Sequence, residues 1–149
     1  MLIKILSEIY KRDLDKLKAE IEAYEHEGDL WKKGGEIPNS AGNLCLHLIG
    51  NLRHYFGAVL GGTDYVRDRD AEFATGYAPR GQMLAEIDSA LRDINAVLEK
   101  LSDEDLAAEY PIDVFGHPIT TGWFITHLST HFNYHIGQIN YHRRLIGGQ

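Results

Sequence analysis

The side chains best suited to chemistry in this chain of 149 residues are its eight histidines. Six of them gather in two segments: His47 and His54 between residues 41 and 60, and His127, His131, His135 and His142 between residues 122 and 145. A neutral imidazole offers a lone pair to a divalent transition-metal ion, with a bond of about 2.1 Å. Two histidines at i and i+4 of a helix stand one turn apart, roughly 6 Å between Cβ atoms, so both rings can reach one ion. A third from a neighbouring helix completes a face of ligands. The pair His131/His135 has this spacing, and so does His127/His131. Three protein ligands leave coordination positions for water or substrate, as in catalytic rather than closed structural sites.

None of the 22 acidic residues falls between Ser40 and Thr63 or between Gly116 and Gln149. The expected ligands are therefore neutral. An ion held by them keeps its positive charge and attracts a thiolate, a carboxylate or hydroxide. The competing use of each histidine is as a hydrogen-bonded residue at the edge of a helical core. Residue spacing alone leaves open both that use and the choice between the two i, i+4 pairs. Asn51 and Gln138 either orient imidazoles or are simply polar residues at the bundle margin. His54 and His142 lie two turns, about 10 Å, from His47 and His135, too far to share one ion with them. Arg67, Asp68, Arg69 and Asp70 read as a solvated charged loop, with binding of an anionic substrate as the alternative. Trp31 and Trp123 read as packing residues. There is no His-Glu-x-x-His motif, and no catalytic residue can be assigned.

Positioning these residues requires helices. Leu2, Ile5, Leu6, Ile9, Leu14, Leu17, Ile21 and Tyr24 recur at helical spacing, which predicts an amphipathic helix over residues 2–26. Gly28, Gly34, Gly35 and Pro38 mark a loop from Glu27 to Asn39. Ser40 is an expected N-cap for a second helix running to Leu60, closed by Gly61 and Gly62. A polar connection of more than fifteen residues follows. Met83, Ile87, Ala90, Ile94, Val97 and Leu101 alternate at three and four, the seam of a third helix. Ser102 to Asp105 has the form of a capping box. Residues 110–121 suggest a small hairpin or irregular loop. A fourth helix is expected over residues 122–145, with Arg143 and Arg144 near its C-terminus and Gly147 and Gly148 beyond. Winding that helix at 100° per residue sets Ile125, Leu128, Phe132, Ile136 and Ile139 on one stripe, with the histidines and Gln138 beside it. In the second helix His47 borders the apolar stripe in the same way, next to Asn43, Asn51 and His54. The expected fold is all-α: a four-helix bundle in one domain spanning residues 1–149.

Composition narrows the function classes. A net charge of −7 without a basic face argues against nucleic acid as a partner. The lone Cys45 excludes an internal disulfide framework or a cysteine-rich zinc site. Lys4 and Glu8 interrupt the apolar opening residues, so neither a signal segment nor a membrane span is expected and a cytoplasmic protein is.

The stretch His131-Phe-Asn-Tyr-His135-Ile-Gly-Gln-Ile139 resembles the His-x-x-x-His-x-Gly-Gln-Ile pattern of the DinB/YfiT-like superfamily. Asn43-Leu-Cys-Leu-His47-Leu-Ile-Gly-Asn-Leu-Arg53 is similar to the second-helix histidine motif of that family, and Arg67-Asp-Arg-Asp-Ala-Glu-Phe73 to its loop. The similarity extends over nearly the whole chain. It implies an up-down-down-up four-helix bundle with a three-histidine metal centre, and selects His47, His131 and His135 as ligands over His127. It also implies one divalent transition-metal ion, zinc or nickel, and a homodimer. Relatives include thiol-dependent S-transferases and isomerases that use low-molecular-weight thiols, and metal-dependent hydrolases. The resemblance therefore implies a thiol S-transferase first, with a small anionic or thiol substrate. A hydrolase is the alternative, and a non-catalytic metal-binding module of the stress response a further one.

Overall fold

The computed structural model describes residues 1–147. Its elements are helices: α1 (Leu2–Glu22), α2 (Ala41–Leu52), a short α3 (Arg69–Ala74), α4 (Arg80–Leu98), a single turn α5 (Asp103–Ala107) and α6 (Thr121–Ile146). A 3₁₀ turn (Glu27–Trp31) precedes α2, and a π-helical segment (Arg53–Leu60) continues it. Among the described residues no β-strand forms; an isolated bridge between Glu109 and Thr120 closes the loop before α6.

Local chemistry sets the boundaries. Ser40 accepts from Asn43 N at the start of α2, Thr120 from Trp123 N at the start of α6, and Ser102 and Asp105 form the reciprocal capping box of α5. The second helix ends differently from expectation. Its last two turns widen to i+5 bonding, with Gly61 N donating to Phe56 O, before Gly62 turns at φ 66°. The first helix stops at Glu22, earlier than residue 26. At the end of α6, Gly147 stays right-handed with its N–H on Arg143 O; Gly148, the other expected cap residue, lies outside the described residues. The connection after Leu60 is not featureless, because Asp68 caps Ala71 N and starts α3. Six residues are too few to show a helical period in sequence.

Inter-helix bonds fix the directions. Tyr10 Oη donates to Ile125 O, and the Tyr24 hydroxyl, just past the end of α1, lies 3.3 Å from Ile139 O, so α1 and α6 run parallel. Arg80 reaches Tyr24 O while Lys18 pairs with Asp88, so α4 is antiparallel to α1. His47 meets His131 and Tyr55 meets Phe124, so α2 is antiparallel to α6. The order is up, down, down, up. Leu6, Tyr10, Leu14, Leu17 and Ile21 of α1, Leu48 and Leu52 of α2, Ile87 and Ile94 of α4, and Phe132 and Ile139 of α6 share one core. Leu2 and Ile5, on the predicted apolar face, are exposed instead. Among the described residues no helix is long and apolar enough to cross a membrane.

Candidate metal centre

His47 lies in the middle of α2, and His131 and His135 stand one turn apart on the facing side of α6. Their ring nitrogens meet: His47 Nε2 and His135 Nε2 each lie 3.2 Å from His131 Nε2. One nitrogen from each ring falls in a set no more than 4.8 Å across. Two ligands bonded at about 2.1 Å to one ion at tetrahedral or octahedral angles stand about 3.0–3.4 Å apart. The observed separations fall in that range. His47 is buried, whereas His131 and His135 are half-buried, so the trio can be reached from solvent along α6.

The hydrogen bonds at the outer ring nitrogens decide which nitrogens carry lone pairs. His47 Nδ1 lies 3.1 Å from Glu72 Oε1. Arg67 grips the same carboxylate, Nε to Oε2 at 2.9 Å and Nη2 to Oε1 at 3.0 Å. Burial pushes the Glu72 carboxyl up, but hydrogen bonds from His47 and Arg67 and the Arg67 charge outweigh it, and the group is held below its ordinary value. An ionised carboxylate only accepts, and its Oε1 is nearer to Nδ1 than the Arg67 Nη2 donor at 3.4 Å, so in the neutral ring Nδ1 of His47 carries the proton and Nε2 the lone pair. His135 Nδ1 lies 2.7 Å from Gln138 Oε1, and the amide is oriented by Nε2 donating to Tyr134 Oη at 3.2 Å. His135 therefore also presents a lone pair at Nε2.

Two lone pairs thus aim at His131 Nε2. An N–H on that atom can satisfy one of them in line; a cation satisfies all three nitrogens. His131 Nδ1 is buried without a partner among the described residues. Burial first, then the neighbouring rings of His135 and His47, push the His131 pKa down to about 4, so the ring is neutral at pH 7. His135 is also shifted down, chiefly by burial, against the opposing pull of Gln138. The residues present fit a divalent transition-metal ion: neutral donors, two already oriented by acceptors on the far nitrogen.

The other expected candidates fall elsewhere. His127 is not in the trio; its ring stacks on Trp123 at 5.1 Å and 7°, with Phe115 edge-on at 5.4 Å. Trp123 is accordingly an exposed stacking residue, whereas Trp31 packs over Gly42. His142 is a core residue, bonded to Tyr24 Oη at 2.7 Å and Lys32 O at 2.8 Å. Gln138 contacts His135, but Asn51 Oδ1, though buried, has no partner among the described residues. Of residues 67–70, Asp68, Arg69 and Asp70 are exposed as a solvated charged segment would be, and Arg67 departs from that reading. Arg67 is 10% exposed at its side chain and belongs to the site, and Asp68 is a helix cap. Glu72 was not anticipated because it is 25 residues from His47 in sequence; its neighbours in the Arg67–Phe73 stretch were the available signal.

Over residues 6–149 the sequence matches the family described as "Protein of unknown function (DUF1572)". The chain belongs to this family. No curated protein matches it. A solved structure titled as a conserved protein of locus from Enterococcus faecalis is similar over 98% of this chain and 97% of that one, with a TM-score of 0.76 at 16% identity. At that identity the likeness speaks for the helical bundle and not for an activity.

Proposed function

We propose that this chain binds one divalent transition-metal ion through His47, His131 and His135. We further propose that it uses the ion to activate a small thiol, as a thiol-dependent S-transferase of the DinB/YfiT-like kind that its motifs resemble. The reading is carried by the convergence of three Nε2 atoms, two of which belong to rings whose Nδ1 is bonded to an acceptor. Zinc and nickel suit three neutral imidazoles. A bound ion would supply Lewis acidity, lowering the pKa of a thiol or water that shares it.

The chain's own side chains support the thiol-transfer reading over the hydrolase one. Attack by metal-bound water is assisted by a base within hydrogen-bond reach. Glu72 is the carboxylate bonded to the trio, and both of its oxygens are engaged by Arg67. A thiol, with its lower pKa, can be taken up as the anion without such a base. His131 and His135 form the accessible side where the second substrate would approach, while Phe73 lies against the His47 ring at 4.9 Å and covers it.

The test is elemental analysis of untagged protein before and after loading with zinc, nickel or manganese, followed by turnover assays. Small thiols with soft electrophiles form one panel, and esters and amides the other. One equivalent of metal and metal-dependent consumption of thiol are expected. Absence of bound metal after loading would overturn the reading. Turnover of the ester panel alone would assign a hydrolase, and bound metal without turnover a binding module.

A further inference from the structure

The short helix α3 is keyed to α2 at three places around His47. One turn before it, the Asn43 side-chain amide donates to Glu72 O at 3.0 Å and Thr75 O at 2.7 Å. Beside it, Phe73 lies on the His47 ring. Just beyond, the Glu72 carboxylate rests on Gly50, where a Cβ would stand 1.9 Å from Oε2 and 2.7 Å from Cδ. Only glycine leaves room there. Arg67, preceding α3, closes the arrangement with its two bonds to the carboxylate.

We infer that Glu72 is a positioning residue for the metal centre: held by Arg67 and seated on Gly50, it fixes the His47 ring in the Nδ1–H form and aims its Nε2 lone pair at His131 and His135. This rests on the proposed metal-binding reading, but the tautomer it sets exists in the metal-free protein. A carboxylate on the outer nitrogen fixes ring orientation and raises the basicity of the ligating nitrogen; losing such a partner typically costs 10- to 100-fold in metal affinity. The glycine makes the assignment specific. A carboxylate serving only to tie down the loop would need neither His47 Nδ1 nor a side-chain-free seat on α2.

Two readouts test this on the full chain. Long-range ¹⁵N–¹H spectra of the metal-free protein report the His47 tautomer, and zinc titration against a competing chelator reports affinity. In the unaltered protein His47 is expected as Nδ1–H. Glu72→Leu, which removes the acceptor, should lose that single tautomer and bind zinc about 10- to 100-fold more weakly. Gly50→Ala, which changes no polar group, should do the same by displacing the carboxylate, and Glu72→Asp in the Gly50→Ala background should recover part of the loss. Circular dichroism checks that each variant is folded; should one of Glu72→Leu and Gly50→Ala fail to fold, the other still decides. A His47 ring protonated at Nε2 in the unaltered protein, or a folded Glu72→Leu or Gly50→Ala protein with unchanged tautomer and zinc affinity, overturns the assignment and leaves the metal-binding proposal standing. An unaltered protein with the expected tautomer and no zinc binding overturns metal binding and leaves the role of Glu72 toward His47 standing.

Discussion

The choice between the two i, i+4 histidine pairs of α6 can be tested by thermal unfolding with and without zinc. His131 Nε2 lies 3.2 Å from both His47 Nε2 and His135 Nε2, whereas the His127 ring is spent on Trp123 and Phe115. On the proposed ligand set His135→Ala removes a ligand, and His127→Ala removes surface stacking. A ligand that binds only the folded state at 100 times its Kd stabilises it by about 2.7 kcal/mol. In a chain of this size each kcal/mol moves Tm by roughly 2–4 °C, giving an expected rise of about 5–11 °C for the unaltered protein. If losing His135 weakens binding 100-fold, the same zinc concentration only equals Kd. Stabilisation then falls to about 0.4 kcal/mol and the shift to roughly 1 °C. The assay is calorimetry of chelator-treated protein at fixed free zinc, each variant compared with its own metal-free form. A His135→Ala shift as large as that of the unaltered protein, or a shift abolished by His127→Ala, would refute the assignment of ligands.

Two further outcomes follow from buried imidazoles. In the metal-free protein His131 is held near 4 against an ordinary 6.5, so the unfolded chain binds the extra proton first as pH falls. The stability associated with the neutral ring is present above pH 6.5 and is lost on acidification through 4; urea midpoints should decline over that window, and His131→Gln should flatten the decline, with parallel curves for the two proteins counting against it. Tyr24 Oη donates to His142 Nδ1, whose other nitrogen donates to Lys32 O, so Tyr24→Phe strands a buried acceptor. A loss of about 1–3 kcal/mol in urea unfolding with unchanged zinc affinity is expected, and an unaltered midpoint would exclude it.

Much of this molecule is written in local pattern. Ser40 and Ser102 mark helix starts because capping is satisfied within three residues of chain. The apolar periods locate the four long helices because each must bury one stripe. His131 and His135 share a helix face for the same geometric reason. What sequence spacing could not supply was the choice of their partner and the exclusion of His127, since i, i+4 spacing is identical for both pairs. The motif resemblance pointed to His47. The antiparallel packing of α2 on α6 brings His47 Nε2 to 3.2 Å from His131, and the aromatic surroundings of His127 occupy that ring otherwise.

Tertiary structure alone decided the surroundings of the trio. Residues 67–73 look like a solvated loop by composition, because two arginines and three acids in seven positions are usually at the surface. Folding instead buries Arg67 and Glu72 as a pair, and a buried carboxylate is tolerated because Arg67 and His47 satisfy its oxygens. The absence of acids near the histidines in sequence is thus compatible with a carboxylate beside them in space. Gly50 shows the same division: its identity is plain in the sequence, but the reason for it, a carboxylate oxygen where its Cβ would be, arises from a contact between segments twenty-two residues apart. Periodicity and capping are properties of neighbouring residues and can be read along the chain. Which polar groups are left without water, and what they must then bond to, depends on how the helices pack.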